Sequence, residues 1–488
     1  MIFTSLEFFV FLPLTLLVFA VVDARWRGIW LLLASWVFYG AGHEVYLVYL
    51  GSVTITAYVL GWGIERAAGR GRVALLTVGI VGLAGSLIAF KYFDFAAGEI
   101  ERLIDATLPG RSFSVPRLGI ASPAGYSFIA FSALSYLIDI YRRSVSGEQR
   151  AVNVALYLAF FPKILAGPIE RAPAFFSQLG NRFSWDSANT VPALQLIAWG
   201  LFMKVVIADN LAPLVDRNFA IAAFAAPLEL LISIYFFAFQ IYCDFAGYTY
   251  IAIGVALLFG IRLMDNFRRP YLSLSTAEFW GERWHISLAH WFRDYLYIPL
   301  GGSRAGQFRH YLNVMLVFVV SGLWHAGLGY GVGWSFLIWG VLNGTYQWIG
   351  LATRGLWRRL GERIPAVRGS TWLTILRILL TFHLIAFAWI FFRAKSIGDA
   401  LTVIRKIAVN LTEFPALISR YPFTAEHAMG ASLIALLLAV EVLDQRLSIA
   451  QRLAAAPVPV RWGAYYFVIF GLLILGRWQA KEFIYMQF

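Results

Sequence analysis

The chain has 488 residues, of which 60% are hydrophobic, 17% aromatic and only 14% charged, whereas a soluble protein carries about 45–50% apolar and about 25% charged residues. That leaves too little polar side chain to coat a soluble enzyme of this length, and mean hydropathy is +0.70. Forty Lys and Arg against 27 Asp and Glu give +13, which in so apolar a chain reads as basic cytoplasmic loops and attraction to anionic lipid, not as a nucleic-acid surface.

The first apolar run, 4–22, has no basic residue before it and Glu7 as its first charge, so it reads as a retained span, not a cleaved leader. A helix needs about 20 apolar residues at about 1.5 Å each to cross about 30 Å of hydrocarbon. Runs that meet or approach this are 4–22, 44–63, 73–93, 122–141, 191–208, 228–260, 332–352, 372–392, 429–446 and 462–480. Shorter runs at 29–41, 152–167, 285–300 and 311–327 are expected to be tilted, broken or re-entrant. Continuous runs, not alternating ten-residue segments, exclude a β-barrel. The expectation is an all-α polytopic protein with roughly 10–13 crossings plus short re-entrant or interfacial helices, forming one membrane-embedded domain over 1–488. The polar stretch 395–427 reads as a surface insert, either an amphipathic helix pair or a plain interfacial loop.

Loop charge orients the chain. Arg25 and Arg27, then Arg66, Arg70 and Arg72, then Arg142, Arg143 and Arg150, and finally five arginines in 353–370 mark cytoplasmic loops. The loop at 94–117, with Asp94, Glu99, Glu101 and Asp105 against three arginines, reads as external.

Ionisable residues inside apolar runs are the default functional candidates, because lipid charges heavily for them. The histidines form the short list. His310 and His427 sit in polar connections and read as solvated; His43 lies in the break GAGHE as a turn residue; His383 reads as a packed, satisfied histidine. His325 differs: an apolar helix runs into a glycine-rich bend, VVSGLWHAGLGYGVGW. From the basic loop at Arg304 and Arg309, the helix to His325 covers about 24 Å, placing it between the midplane and the outer face. An imidazole at that depth favours its neutral form and is available as a base. His285 opens WHISLAHWFRDYLYIPLGG near the cytoplasmic side, with His290 four residues before Asp294 and an Arg293–Asp294 pair. His285 and His290 are about 140° apart around a helix, so they form no metal face. Cys243, the single cysteine, excludes an internal disulfide framework and any multi-cysteine metal site, and reads as an apolar filler. GYGVG at 329–333 is a bend without the strand–helix context of a dinucleotide site.

FFPKILAGPIERAPAFFSQL (160–179), the long run 242–304 and SGLWHAG with WSFLIWGVLNG (321–344) resemble the membrane-bound O-acyltransferases, within them the bacterial alginate O-acetyltransferase branch. The opening MIFTSLEFFVFLPL, WIFFRAKSIGDAL and the ending EFIYMQF fit that branch too. Gly281 and Glu282 depart from it, standing where a basic pair is common. The resemblance implies a water-filled funnel with a thin floor, a near-invariant histidine at His325 and a second motif histidine at His285. It further implies an acetyl group taken from acetyl-CoA or another acetyl thioester in the cytoplasm, with no bound cofactor. The acetyl would pass to extracytoplasmic acetyl-accepting protein partners and finally to a polysaccharide, across a bacterial inner membrane. The alternatives are D-alanyl or other acyl transfer to a different envelope polymer, or a secondary transporter or flippase, against which stands the lack of two related halves.

Overall fold

A computed structural model describes the chain except residues 109–112, 120–122, 148, 180–186, 327–332, 364–369, 479–482 and 485–488. It divides into two compact units, one holding Met1–Ile197 and Thr249–Met264, the other Ala198–Tyr248 and Asp265–Gln479.

The first unit runs through α1 (Leu6–Val21), α2 (Arg27–Gly40), α3 (Val45–Arg66), α4 (Gly69–Thr107), α5 (Tyr126–Tyr141), α6 (Ala151–Ala159), α7 (Ala172–Phe176) and the start of α8 (Ser187–Leu201). Its tight approaches are made at small residues: a Cβ on Gly79 would lie 2.6 Å from Leu137 Cδ1, and one on Gly61 2.7 Å from Ile140 Cδ1. Such closeness is how helices associate where water gives no driving force. α4 is longer than its apolar run. At 39 residues it extends about 58 Å, well beyond the hydrocarbon. The segment 94–107, read from the sequence as loop, is therefore helical. Its acids explain the difference: Glu99 pairs with Arg102 one turn on, Asp94 accepts the N–H groups of Leu118 and Gly119, and Glu101 accepts that of Val115.

The second unit contains α9 (Asp209–Ala220), α10 (Pro227–Leu258) as far as Tyr248, the short α11 (Thr276–Glu278) and α12 (Ile286–Phe292), then α13 (Gln307–His325), α14 (Trp334–Arg363) and α15 (Thr371–Arg393). It continues through α16 (Ile397–Val409), α17 (Phe414–Arg420), α18 (Ala425–Leu447), α19 (Ile449–Ala455) and α20 (Val458–Leu475). The stretch 395–427 is thus a helix pair; Ala400 and Val403 of α16 are buried while Leu401 and Val409 are exposed. Among the described residues the only strand-like pairing is an isolated bridge, Phe267 to Trp284.

Seven described helices are long and apolar enough to cross a membrane: α3, α4, the run Ala188–Ala220, α10, α15, α18 and α20. α1 and α5 are shorter apolar helices. On α20, Phe467, Leu473 and Ile474 are more than half exposed, which suits lipid and would be costly in water. A π-helical turn, Phe202–Ala208, interrupts the run Ala188–Ala220. Its widened backbone leaves the Val205 carbonyl to accept from Arg477 N at 2.9 Å, and such turns gather at functional positions.

Candidate functional site

His325 ends α13 and is 4% exposed. Its ring centroid lies 4.6 Å from that of Trp324, 5.3 Å from Trp339 and from Phe392, and 6.3 Å from Phe336. Trp339 and Phe336 come from α14 and Phe392 from α15. What brings them there is a backbone contact between α13 and α14. A Cβ on Gly322 would stand 2.5 Å from the Phe336 carbonyl oxygen, and one on Gly340 2.5 Å from that of Phe318. A side chain at either position would push the two backbones apart, and Phe336 and Trp339 sit on the turn of α14 that this contact holds against His325. The glycine-rich bend at 329–333 falls outside the described residues except for Gly333.

His285 is 3% exposed and precedes α12 in the left-handed region, φ 46° and ψ 53°. That conformation costs a non-glycine residue about 1–2 kcal/mol, so the surroundings must hold it. They do so from the segment 266–269, which runs antiparallel to 283–287. Arg268 N donates to the Arg283 carbonyl (3.0 Å), Ile286 N donates to the Asn266 carbonyl (3.0 Å), and the bridge Phe267–Trp284 lies between them. The imidazole packs edge-to-face on Phe245 at 4.7 Å and lies 6.4 Å from Trp324. It is outside the seven apolar spans, and burial pushes its pKa down to about 3, so it is neutral at physiological pH.

Trp324 therefore neighbours both histidines. The two ring distances bound the separation of the imidazoles at about 11 Å, roughly a third of a hydrocarbon core. Behind them stand Trp280, Trp284, Trp339 and Trp389, with Trp280 against Trp339 at 5.3 Å and Trp284 against Trp389 at 5.2 Å. Asn343, fully buried, accepts from Trp280 Nε1 at 2.9 Å and donates to the Trp339 carbonyl at 2.8 Å, tying this wall together. A neutral His285 imidazole set beside His325 in this aromatic surround can take up and hand on a proton.

The remaining sequence candidates sort plainly. Arg293 and Asp294 form an ion pair at 2.8 Å on the surface. His383 is satisfied at both nitrogens: Nδ1 donates to the Leu379 carbonyl (2.7 Å), so Nε2 accepts from the Tyr235 hydroxyl (3.1 Å). His43 is an exposed turn residue. Cys243 is fully buried within α10. Gly281 and Glu282 are exposed. His427 corrects the sequence reading: it is 5% exposed, not solvated. It lies in the first turn of α18, where Nδ1 accepts from Thr424 N at 3.2 Å and Nε2 approaches Glu229 at 3.4 Å. A histidine can close a capping box in place of Glu or Gln, which a polar context does not reveal. His310 belongs to the first turn of α13 and is half-buried. Among the described residues no group of three or more His, Cys, Asp and Glu is placed to hold a metal ion.

Two features escaped the sequence reading. Lys204, on the π-helical turn, reaches Asp244 of α10 at 2.6 Å and Asp209 at 2.9 Å, with all three side chains under a tenth exposed. The three charges are visible in or beside the apolar runs 191–208 and 228–260, but that they meet is decided by the fold alone. The other is Asn266, whose role exists only because the chain folds back on His285.

The family model "MBOAT, membrane-bound O-acyltransferase family" matches residues 142–392. A probable alginate O-acetylase of Azotobacter vinelandii is 36% identical over 406 residues, covering 82% of this chain and 76% of that protein. Its counterpart in Pseudomonas aeruginosa is 34% identical, covering 82% and 73%. A peptidoglycan O-acetyltransferase of Helicobacter pylori is 32% identical over 436 residues, covering 82% and 78%.

Proposed function

Because the chain belongs to the membrane-bound O-acyltransferase family and is a multi-pass acyltransferase, we propose that it moves an acetyl group from a cytoplasmic acetyl thioester, such as acetyl-CoA, toward hydroxyls of an exported polysaccharide such as alginate. It does so in a bacterial inner membrane, as one membrane-embedded domain with 395–427 as an interfacial insert. An extracytoplasmic partner protein receives the acetyl group and passes it to the polymer.

In this reading His325 is the general base. Its neutral imidazole takes the proton of the acceptor hydroxyl as that oxygen attacks the thioester carbonyl carbon; the C–O bond forms, the C–S bond breaks, and the imidazolium gives its proton to the departing thiolate. His285 positions the donor or relays that proton. The observation that carries the reading is the burial of both histidines against a single indole, Trp324. It is supported by the names of the relatives, two of which are called probable alginate O-acetylases and one a peptidoglycan O-acetyltransferase.

The test is a deletion strain complemented with this chain, its exported polysaccharide and its peptidoglycan both assayed for O-acetyl, beside purified protein given radiolabelled acetyl-CoA. Restored polysaccharide acetylation and thiol release from acetyl-CoA are expected. Acetyl appearing in peptidoglycan alone, or ester-linked D-alanine in place of acetyl, would replace the polymer or the acyl group in this reading.

A further inference from the structure

A helix begins with N–H groups that lack partners, and the residue before it ordinarily supplies a side-chain acceptor. Before α12 that residue is His285, and its side chain makes no capping bond. The acceptor comes from elsewhere. Asn266 takes the first two N–H groups of α12: its carbonyl oxygen accepts from Ile286 N at 3.0 Å and its Oδ1 from Ser287 N at 3.2 Å. The same Oδ1 accepts from Ser287 Oγ at 2.9 Å. Asn266 is 1% exposed and Ser287 fully buried, so water does not compete for these bonds.

The arrangement separates two tasks that a helix start usually combines. With capping done by Asn266, the imidazole of His285 is released from its own backbone and turned onto Phe245 and toward Trp324. The same bonds keep His285 at φ 46°, because Ile286 and Ser287, the two residues after it, are both tied to Asn266. Around them, Arg283 Nη1 donates to the carbonyls of Arg268 and Arg269 at 3.4 and 3.2 Å, and Arg283 pairs with Glu278 at 2.7 Å, which keeps 266–269 in register with 283–287.

We infer that Asn266 is a positioning residue for the transfer reaction, acting through His285 by capping α12 in its place. The inference rests on the reading of His285 as part of the acyl-transfer site. Loss of the Asn266 side chain removes both Oδ1 bonds and leaves only the backbone bond from Ile286 N, so the left-handed residue relaxes toward ordinary helical or extended backbone and the imidazole shifts; a displacement near 1 Å costs as much as ~100-fold in rate.

The experiment is a double-mutant cycle on purified protein with radiolabelled acetyl-CoA, using Asn266→Ala, Asn266→Asp, Ser287→Ala and His285→Asn. Asn tolerates the left-handed backbone but lacks the imidazole, so His285→Asn removes the chemistry and leaves the turn. Asn266→Ala is expected to lower turnover about 10- to 100-fold. Asn266→Asp, which keeps an acceptor at the helix start, recovers most of it. In the His285→Asn background, Asn266→Ala adds less than about twofold. Full multiplication of the two losses, or wild-type turnover by Asn266→Ala, overturns the inference. If Asn266→Ala does not accumulate in membranes, Ser287→Ala carries the same cycle, with a partial loss expected in the wild-type background alone. Wild-type turnover by His285→Asn would instead remove His285 from the site, a result distinct from multiplication.

Discussion

Trp324 and His285 come from separate segments yet bring their ring centroids to 6.4 Å, and the same indole touches the ring of its chain neighbour His325 at 4.6 Å. One side chain thus forms the common wall of two imidazoles that the sequence presents as unrelated motifs.

If His325 is the base, His325→Ala lowers acetyl transfer by about 10²–10⁴-fold, the usual worth of a positioned general base, while the protein still inserts and purifies as a folded species. O-acetyl content of the exported polymer, measured beside the amount of protein in the membrane fraction, gives the answer. Full acetylation by the variant would remove His325 from the mechanism.

Gly322→Ala and Gly340→Ala test whether the α13–α14 contact sets the site. Each added Cβ meets a backbone carbonyl at 2.5 Å, which cannot move aside as a flexible side chain would, so the helices must separate. Phe336 and Trp339 then withdraw from His325, and activity is expected to fall at least tenfold. Gly350→Ala, farther along α14 with open space around its Cβ, serves as the control and should be silent. Equal activity in all three would show that the contact is dispensable.

The Lys204–Asp209–Asp244 cluster predicts an asymmetry. Lys204→Met leaves two buried carboxylates facing each other and is expected to cost about 3–5 kcal/mol, whereas the triple change Lys204→Met, Asp209→Asn, Asp244→Asn removes the uncompensated charge and recovers much of that loss. Thermal unfolding in detergent distinguishes them. A single variant as stable as wild type would mean the cluster is solvated or its charges are not formed.

The lowered pKa of His285, about 3 against an ordinary 6.5, gives a sign for acid sensitivity. Between those values the unfolded chain binds a proton that the folded chain refuses, so stability falls as pH drops through about 6.5 and is independent of this group above it. Unfolding midpoints between pH 5 and 8 should therefore decline on the acid side in wild type, and less steeply in His285→Asn. Parallel curves would show that His285 takes up its proton freely in the folded protein.

Much of the fold is legible in the sequence alone. Apolar runs long enough for lipid must become helices, since every backbone polar group needs a partner within its own segment; α3, α5, α10, α15 and α18 lie close to the runs that predicted them. His285 and His325 are legible as candidates because ionisable side chains are rare in apolar stretches, the shorter runs 285–300 and 311–327 included, and because motif resemblance falls on both. Helix ends were less legible. α4 continues through acids that resemble a loop, because its salt links and loop contacts are made after folding. His427 appeared solvated because the carboxylate near it, Glu229, belongs to a distant helix.

By itself the sequence determined the solvent of this protein, the class of its secondary structure and the family, and it made His285 and His325 the candidates, since each depends on composition, on local runs or on short motifs. Only the tertiary structure decided that Trp324 stands against both rings, that Gly322 and Gly340 set the wall around one of them, and that Asn266 caps the helix the other begins. Those relations join residues from separate segments, and which segments meet is set by packing and by the pairing of buried polar groups, quantities that no single stretch of chain contains.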